Sequence, residues 1–359
     1  MELPEELRAA LDDACSAYST KELAAAAQRL SDRYRGLSAT QRAPGKTLET
    51  PDTLNARSAV AYAAARLPAT FAATAAALHQ ARLRIPAWRP QSLLDVGAGL
   101  GAGLWAAQAE WPDLEQATLL ERAPQMIALG KQLCAAASAS TIREARWREA
   151  DVTGEWGATE RAYDLVVAGY LLGELAAPPR ERLIERLWEK TAGALALIAP
   201  GTPTGFAHIH AARSQLLAAG ATILAPCPHD GSCPIRPLAP PDEEPTAVET
   251  NAIGPGQAGN WCHFTQRLAR SRLHRQLKGG ELAYEDEKFS YVIAVRPGNS
   301  ALPAAPIEGR IVRHPQTRPG VVTLEVCARE GGLERRIIPR REREAFRRAR
   351  DLRWGDALE

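Results

Sequence analysis

The stretch Leu93-Leu94-Asp95-Val96-Gly97-Ala98-Gly99-Leu100-Gly101 constrains this chain more than any other. A mostly apolar run, Ser92 to Val96, carries an acid near its end and passes into three alternate glycines. A helical run, Leu104 to Glu110, comes next. Strand, glycine turn and helix in that order open a nucleotide-binding α/β unit. A glycine lets the backbone turn sharply and lets a ligand approach with no Cβ in the way. The spacing is not the G-x-G-x-x-G of dinucleotide binders.

The pattern continues downstream. Apolar runs at Ala117–Leu120, Ala145–Ala150, Tyr163–Ala168, Ala194–Ala199, Ala221–Ala225 and Phe289–Val295 read as further strands. Helical stretches at Pro124–Ala137, Pro179–Lys190 and Phe206–Ala219 separate them. Alternation at this period predicts an α/β fold with a parallel, doubly wound sheet. Residues 1–88 read as an N-terminal helical region, with Leu7, Leu11, Ala14 and Tyr18 at helical spacing, then Leu23, Ala26, Leu30 and Tyr34. Thr40 to Pro51 reads as a polar loop, and a second helical stretch runs from Leu54 to Leu83, with Pro68 opening its second half. The main domain spans 89–298 and carries a cysteine-bearing insertion, 226–288, far too long for a hairpin. A Pro-rich linker leads to a small β-rich module over 305–359. Its strands are expected at Arg310–Arg313, Val321–Cys327 and Leu333–Ile338, with a basic helix, Arg341–Arg353, at the end.

Hydrophobic content of 45% and charged content of 24% fit a globular protein, and no apolar run is long enough to span a membrane. The first residues, Met1-Glu2-Leu3-Pro4-Glu5-Glu6, are acidic, unlike a secretory or organellar leader, so a cytoplasmic location is expected. The formal net charge of +2 is unevenly spread: residues 261–359 hold 20 Lys/Arg against 13 Asp/Glu. A basic C-terminal third predicts contact with a polyanion, with a solvated charged surface as the plain alternative. Arg267, Arg270, Arg272, Arg275 and Lys278 lie in a stretch without acids, and residues 335–353 hold nine Arg against three acids. The two segments are expected to form one basic face.

Asp95 with Gly97, Gly99 and Gly101 resembles motif I of class I S-adenosylmethionine-dependent methyltransferases. The resemblance implies a Rossmann-like sheet whose seventh strand is antiparallel. Glu121, at the end of the second strand, stands where a carboxylate typically accepts hydrogen bonds from ribose hydroxyls. Asp151 ends the third strand, and by the resemblance this acid or its neighbour borders the adenine amine. Gly169 and Tyr170 follow the fourth strand and would wall the methionine end. The catalytic side is open: neither the N/D-P-P-Y/F of exocyclic-nitrogen methyltransferases nor a Pro-Cys stands after that strand. Glu174 is the one carboxylate there, either a general base or an acid in favourable register with a helix dipole.

Cys227-Pro228-His229-Asp230-Gly231-Ser232-Cys233-Pro234 is the second strong signal, followed by Cys262 and Cys327. Four thiolates suit a [4Fe–4S] cluster or zinc, and His229 or His263 could complete a zinc site. The spacing is not that of a zinc ribbon or finger. Cys15 and Cys134 sit in helical stretches and read as small buried hydrophobes.

The combination resembles the methyltransferase-like family of mitochondrial small-ribosomal-subunit assembly factors, which has bacterial members. The resembling segments are Arg66–Ala73, the Asp95 glycine loop, Ala199-Pro200-Gly201-Thr202-Pro203-Thr204-Gly205-Phe206, the Cys227/Cys233 loop, Trp261-Cys262-His263-Phe264 and Trp354-Gly355-Asp356. The resemblance implies S-adenosylmethionine as cofactor and a [4Fe–4S] cluster on Cys227, Cys233, Cys262 and Cys327. It also implies association with the small ribosomal subunit and its rRNA, as an rRNA methyltransferase or as a non-catalytic assembly factor. Ala199 stands where relatives often carry Glu, and an acidic insertion, Asp242 to Glu249, separates Cys233 from Cys262. The rival reading is a small-molecule methyltransferase with structural zinc.

Overall fold

A capping box starts the second helix of the chain. Ser19 Oγ accepts from the Glu22 backbone N–H at 3.3 Å while the Glu22 carboxylate accepts from the Ser19 N–H at 3.0 Å. In the computed structural model the described residues are 1–29, 55–154, 156, 162–237, 261–298 and 306–358. The expected polar loop Thr40–Pro51, Leu30, Tyr34, the acidic insertion Asp242–Glu249 and the linker after Ser300 lie outside them. The described residues form two compact units. One comprises Met1–Ala76, Arg89–Glu174 and Gln266–Glu287; the other comprises Ala77–Trp88, Leu175–Thr265 and Lys288–Glu359.

The first unit starts with helices α1 (Glu5–Ser16) and α2 (residues 20–29). Leu7, Leu11, Ala14 and Cys15 form the buried stripe of α1. Helix α3 (Ala56–Arg84) comes next, and its N-cap Asn55 accepts from the Ser58 N–H at 2.9 Å. As expected for one stretch from Leu54 to Leu83, Pro68 sits inside α3. A proline there removes one backbone bond. Long Ala-rich burial on both sides of it keeps the helix continuous: Ala61, Ala63, Ala69 and Ala73 are wholly buried.

Four strands of this unit pair in parallel: β1 (Ser92–Val96), β2 (Gln116–Glu121), β3 (Arg146–Glu149) and β4 (Tyr163–Gly169). Their order is β3-β2-β1-β4, with Asp95 opposite Leu119 on one side and Val167 on the other. The central strands are apolar throughout because both of their faces are covered. Helices α4 (Ala102–Glu110), α5 (Pro124–Ala135) and α6 (Ser140–Arg143) belong to the same unit. So does a hairpin-like return that local patterning did not predict. Strand β7 (Phe264–Ala269), helix α9 (Arg272–Lys278) and the start of β8 (Tyr284–Val295) make it up, with β7 paired to β8.

The second unit holds α7 (Ala177–Glu189), β5 (Thr191–Pro200), α8 (Pro203–Ala218) and β6 (Thr222–Ala225). The rest of β8 pairs antiparallel with both β5 and β6, as expected for the strand read at Phe289–Val295. The C-terminal module is an antiparallel sheet in the order β10-β11-β9-β13, with β12 on the other part of β11. Its strands are β9 (Gly309–Ile311), β10 (Gln316–Arg318), β11 (Val321–Ala328), β12 (Gly332–Pro339) and β13 (Ala357–Leu358). Helix α10 (Arg343–Asp351) closes it. Ala349 of that helix joins Ile311, Val322, Leu324 and Val326 in a core of its own. The fold is therefore mixed α/β with a parallel-rich sheet and a small antiparallel β module at the C-terminus.

Candidate functional site

The glycine turn after β1 is held by backbone and by one carboxylate. Gly97 and Ala98 donate to the Leu120 carbonyl at 2.9 and 3.0 Å. Gly99 has φ +56 and donates to Glu121 Oε2 at 2.8 Å. The other Glu121 oxygen accepts from the Arg122 and Ala123 N–H groups, both at 2.9 Å. Glu121 thus ties the loop to the end of β2, with lone pairs left over. A Cβ on Gly99 would meet only Met126 Cε at 3.8 Å, so the space above this position is open. Gly97 is different: a Cβ there would press on the Leu171 side chain at 3.0 Å. Gly101 caps α4 in the left-handed region.

Asp95 sits beneath this loop. It is 2% exposed, and its Oδ2 accepts from the Leu104 N–H at 3.2 Å, inside the first turn of α4. Burial pushes its carboxyl up to about 7, against the pull of the backbone donors. It therefore positions the loop and helix from below. Its effect on stability has a definite sign. The native chain holds this proton up to about pH 7, whereas the unfolded chain releases it near 3.8. Stability from this group thus falls as pH rises between those values and is flat above. We expect Asp95→Asn to lessen that loss by on the order of 4 kcal/mol. Urea midpoints at pH 4.5 and 8 test this; the same pH dependence in wild type and variant would refute it.

Gly169 and Tyr170 close β4. Tyr170 has φ +61, a conformation that costs an L-residue roughly 1–2 kcal/mol. Its phenol donates to Glu287 Oε1 at 2.9 Å, and Arg66 pairs with the same oxygen at 3.2 Å. The Arg66 guanidinium also lies 5.8 Å from the Tyr170 ring centroid. Burial alone would lower the Arg66 pKa, but Glu287 and the two tyrosines outweigh it and keep the group charged. Tyr62 lies one turn before Arg66 on α3, and its phenol is raised by burial. One helical stripe therefore brings Tyr62, Arg66 and Thr74 to this place; Thr74 Oγ1 is 3.6 Å from where a Gly169 Cβ would stand. Glu174 ends the 3-10 turn Leu172–Glu174, three residues ahead of the start of α7 in sequence. It is open to solvent yet hemmed in: desolvation, helped by Glu121 and opposed by Arg122, raises it to about 7.

Asp151 stands apart in character. It is exposed and accepts from the Thr153 N–H and hydroxyl at 2.8 and 2.7 Å, which hold its carboxyl low. Its neighbour Ala150 donates to the Glu121 carbonyl at 3.0 Å, so the ends of β2 and β3 are joined. The loop, Glu121, Gly169, Tyr170 and Glu174 all lie at the C-terminal ends of the parallel strands, where ligands of such sheets bind. Tyr62, Arg66 and Glu287 were not singled out individually from the sequence. The available signal was a polar stripe at i, i+4 and i+12 in an Ala-rich helix.

The second unit gathers the cysteines. Cys227, Cys233 and Cys262 are half-buried and Cys327 is buried. Burial raises the Cys262 thiol well above its usual range, and Cys227, Cys233 and Cys327 each add to the shift. Burial, then Cys227 and Cys233, push Cys327 to about 12. Cys327 Sγ lies 3.7 Å from His229 Nε2, and His229 Nδ1 is a buried atom without a partner. The four thiols share one electrostatic neighbourhood. Among the described residues, however, no three His, Cys, Asp or Glu are arranged as a metal-holding group. The Trp261, His263 and Trp354 rings pack in series, with centroids 4.8 and 4.7 Å apart, and Trp261 Nε1 donates to the Gly201 carbonyl at 2.9 Å. Segments far apart in sequence thus meet around Cys262. Cys15 and Cys134 are buried in helices, as expected.

The two basic segments part company. Arg267 pairs with Asp286 at 2.8 Å, and Arg270 and Lys278 pair with Glu285 at 2.6 and 2.7 Å. Acids on β8 thus pair with three of the five cations in a stretch that looks purely basic in sequence. The C-terminal arginines of α10 keep their charge exposed.

A family described as "Mitochondrial small ribosomal subunit Rsm22" matches residues 56–359. The human mitochondrial ribosome assembly protein METTL17 is 29% identical over 316 residues, which is 83% of this chain and 61% of that protein. The mitochondrial Rsm22-cox11 tandem protein 2 of Schizosaccharomyces pombe is 26% identical over 315 residues, 75% of this chain and 38% of the relative. The chain thus spans about three-fifths or less of these relatives. Among solved structures, an O-methyltransferase family protein from Burkholderia thailandensis has a TM-score of 0.43 at 15% identity, covering 56% of this chain and 67% of its own. The putative RNA methyltransferase PH1948 of Pyrococcus horikoshii has a TM-score of 0.39 at 12% identity, covering 66% and 86%. The expected cytoplasmic location is corrected: the family description and these relatives are mitochondrial, which points away from it. The acids among the first six residues describe the charge of that segment and carry no address. The match over residues 56–359 places this chain in the Rsm22 family of mitochondrial small ribosomal subunit proteins.

Proposed function

We propose that this chain binds S-adenosylmethionine in its first unit, holds a metal group on four cysteines in its second, and acts on or assembles the small ribosomal subunit. The observation that carries the cofactor reading is the Gly97–Gly101 turn tied to Glu121, with open space above Gly99. In this reading the glycines admit the cofactor and Glu121 offers its remaining lone pairs to the ribose. Asp151 borders the adenine, and Gly169 and Tyr170 wall the methionine end. Bound cofactor would supply an electrophilic methyl group. Glu174, raised to about 7, is suited to take a proton from a neutral acceptor near physiological pH. Arg66 and Glu287 hold the Tyr170 ring in place. The ribosomal reading draws on the family and on METTL17 being named a ribosome assembly protein.

Cys227, Cys233, Cys262 and Cys327 fit a thiophilic group by donor chemistry: all four are free thiols, and Cys327 Sγ lies 3.7 Å from His229 Nε2 on the loop that carries Cys227 and Cys233. We assign them a [4Fe–4S] cluster, with zinc as the alternative. Anaerobically purified protein is expected to contain iron and sulfide, and Cys262→Ser to lose most of both. Colourless protein with stoichiometric zinc would support the alternative, and neither metal would defeat the assignment. Titration calorimetry with S-adenosylmethionine tests the cofactor reading directly. Mapping methylated rRNA nucleotides with and without the gene separates methyl transfer from assembly alone.

A further inference from the structure

Two arginines beside the cysteines are out of place for a protein interior. Arg310 is 1% exposed and Arg213 is 6% exposed. Neither has a carboxylate within ion-pair distance among the described residues. Their partners are mostly carbonyls. Arg213 Nη2 donates to His229 and Gly231 at 2.9 and 2.8 Å. Arg310 donates to Pro226 and Gly355, both at 2.8 Å, and to the Gln80 side chain. Each still has a buried donor without a partner, Nε of Arg213 and Nη2 of Arg310.

Carbonyl dipoles do not neutralise a buried cation, and an uncompensated buried charge is among the costliest features a fold can carry. A third cation, Arg84, is buried near enough for Arg310 to depress its pKa. Asp230, the carboxylate in the loop between Cys227 and Cys233, is exposed, and its Oδ1 accepts from the Ile223 N–H at 2.8 Å. What both arginines hold is the cysteine-bearing backbone: Arg310 stands opposite Cys327 in the β9–β11 pairing and bonds the carbonyl of Pro226, next to Cys227, while Arg213 bonds the loop between Cys227 and Cys233.

We propose that Arg213 and Arg310 are buried counter-cations for a metal group held by four thiolates, so that this site is built for a net dianion. This rests on the reading that the four cysteines bind metal. Zinc, or an oxidised [4Fe–4S] core, with four thiolates carries two negative charges overall, which two guanidinium groups balance. The orphaned N–H groups are donors of the kind that bond cluster or thiolate sulfur. The same arginines clamp the carbonyls that flank Cys227 and succeed it in the loop. Charge and loop shape are thus set by the same side chains.

The test uses the full chain, reconstituted with ferrous iron and sulfide in one series and with zinc in another. It compares wild type with Arg213→Gln, Arg310→Gln and the matching Lys variants. Metal affinity and the rise in Tm from apo to metal-bound protein are read for each. The Gln variants are expected to bind metal at least about tenfold more weakly and to lose most of the metal-dependent rise, with the apo Tm changed less. A merely structural arginine would lower apo and metal-bound forms alike. Lys variants keep the charge and are expected to keep most of the rise. Should a Gln variant fail to fold, its Lys counterpart decides: retained metal supports the assignment and lost metal overturns it. Gln variants with wild-type affinity and a wild-type rise overturn the counter-cation role alone. Wild type that takes up neither metal overturns the cysteine reading and this inference together.

Discussion

Glu121→Ala is expected to abolish measurable S-adenosylmethionine binding while leaving the chain folded. The carboxylate does two things that the substitution removes together. It accepts from the Gly99, Arg122 and Ala123 N–H groups, which holds the glycine turn against the end of β2. In the proposed complex it also accepts from the ribose. A hydrogen bond to a charged acceptor contributes about 1.5–3 kcal/mol, so losing two such bonds weakens binding by roughly a hundredfold or more. The fold should survive because water can reach the freed N–H groups in this half-buried place. Glu121→Gln keeps one carbonyl oxygen and is expected to fall between. Calorimetry, with a thermal melt of each apo protein alongside, separates lost binding from lost fold. Wild-type affinity in the Ala variant would remove Glu121 from the cofactor site.

The other large effect is expected at the C-terminal module. Reversing Arg341, Arg343, Arg347 and Arg350 to Glu should abolish co-sedimentation with small ribosomal subunits while leaving S-adenosylmethionine binding intact. All four are exposed, and among the described residues none pairs with an acid. Arg343, Arg347 and Arg350 recur at helical spacing on α10, while Ala349 anchors the opposite side in the module core. Charge reversal at these positions leaves that core untouched. Arg forks pair bidentately with phosphate, and the affinity for single-stranded RNA should fall with salt at a log–log slope of about −0.7 per phosphate neutralised. Arg270 and Lys278 are poor choices for this experiment, because Glu285 already occupies them. Variant protein that still pelleted with small subunits would show that α10 is not the docking surface.

The difference between those two basic segments marks the boundary of what a sequence reveals. Asp286 and Glu285 lie 19 and 15 residues beyond their partners, across a return that local pattern did not reveal. The stretch Phe264–Ala269 is a strand whose partner, β8, lies beyond an intervening helix. By contrast, β1 was legible to the residue, because strand, glycine turn and helix succeed one another within a few positions. The antiparallel strand was also legible, through the resemblance. Helix α3 was legible despite Pro68, because apolar periodicity continues on both sides of it.

The sequence by itself determined where most of the strands and helices lie, which acids and glycines end the strands, and which family the chain resembles. These are local properties: apolar periodicity, conformational freedom and spacing act over a handful of residues. Tertiary structure alone decided what faces what. It turned Asp95 inward under α4 and set Tyr62, Arg66 and Glu287 beside Tyr170. It brought Cys327 to His229 on the loop between Cys227 and Cys233, and it buried Arg213 and Arg310 against that loop with no carboxylate in ion-pair distance among the described residues. Burial and charge pairing join residues that stand far apart along the chain, and those contacts leave no local pattern in it.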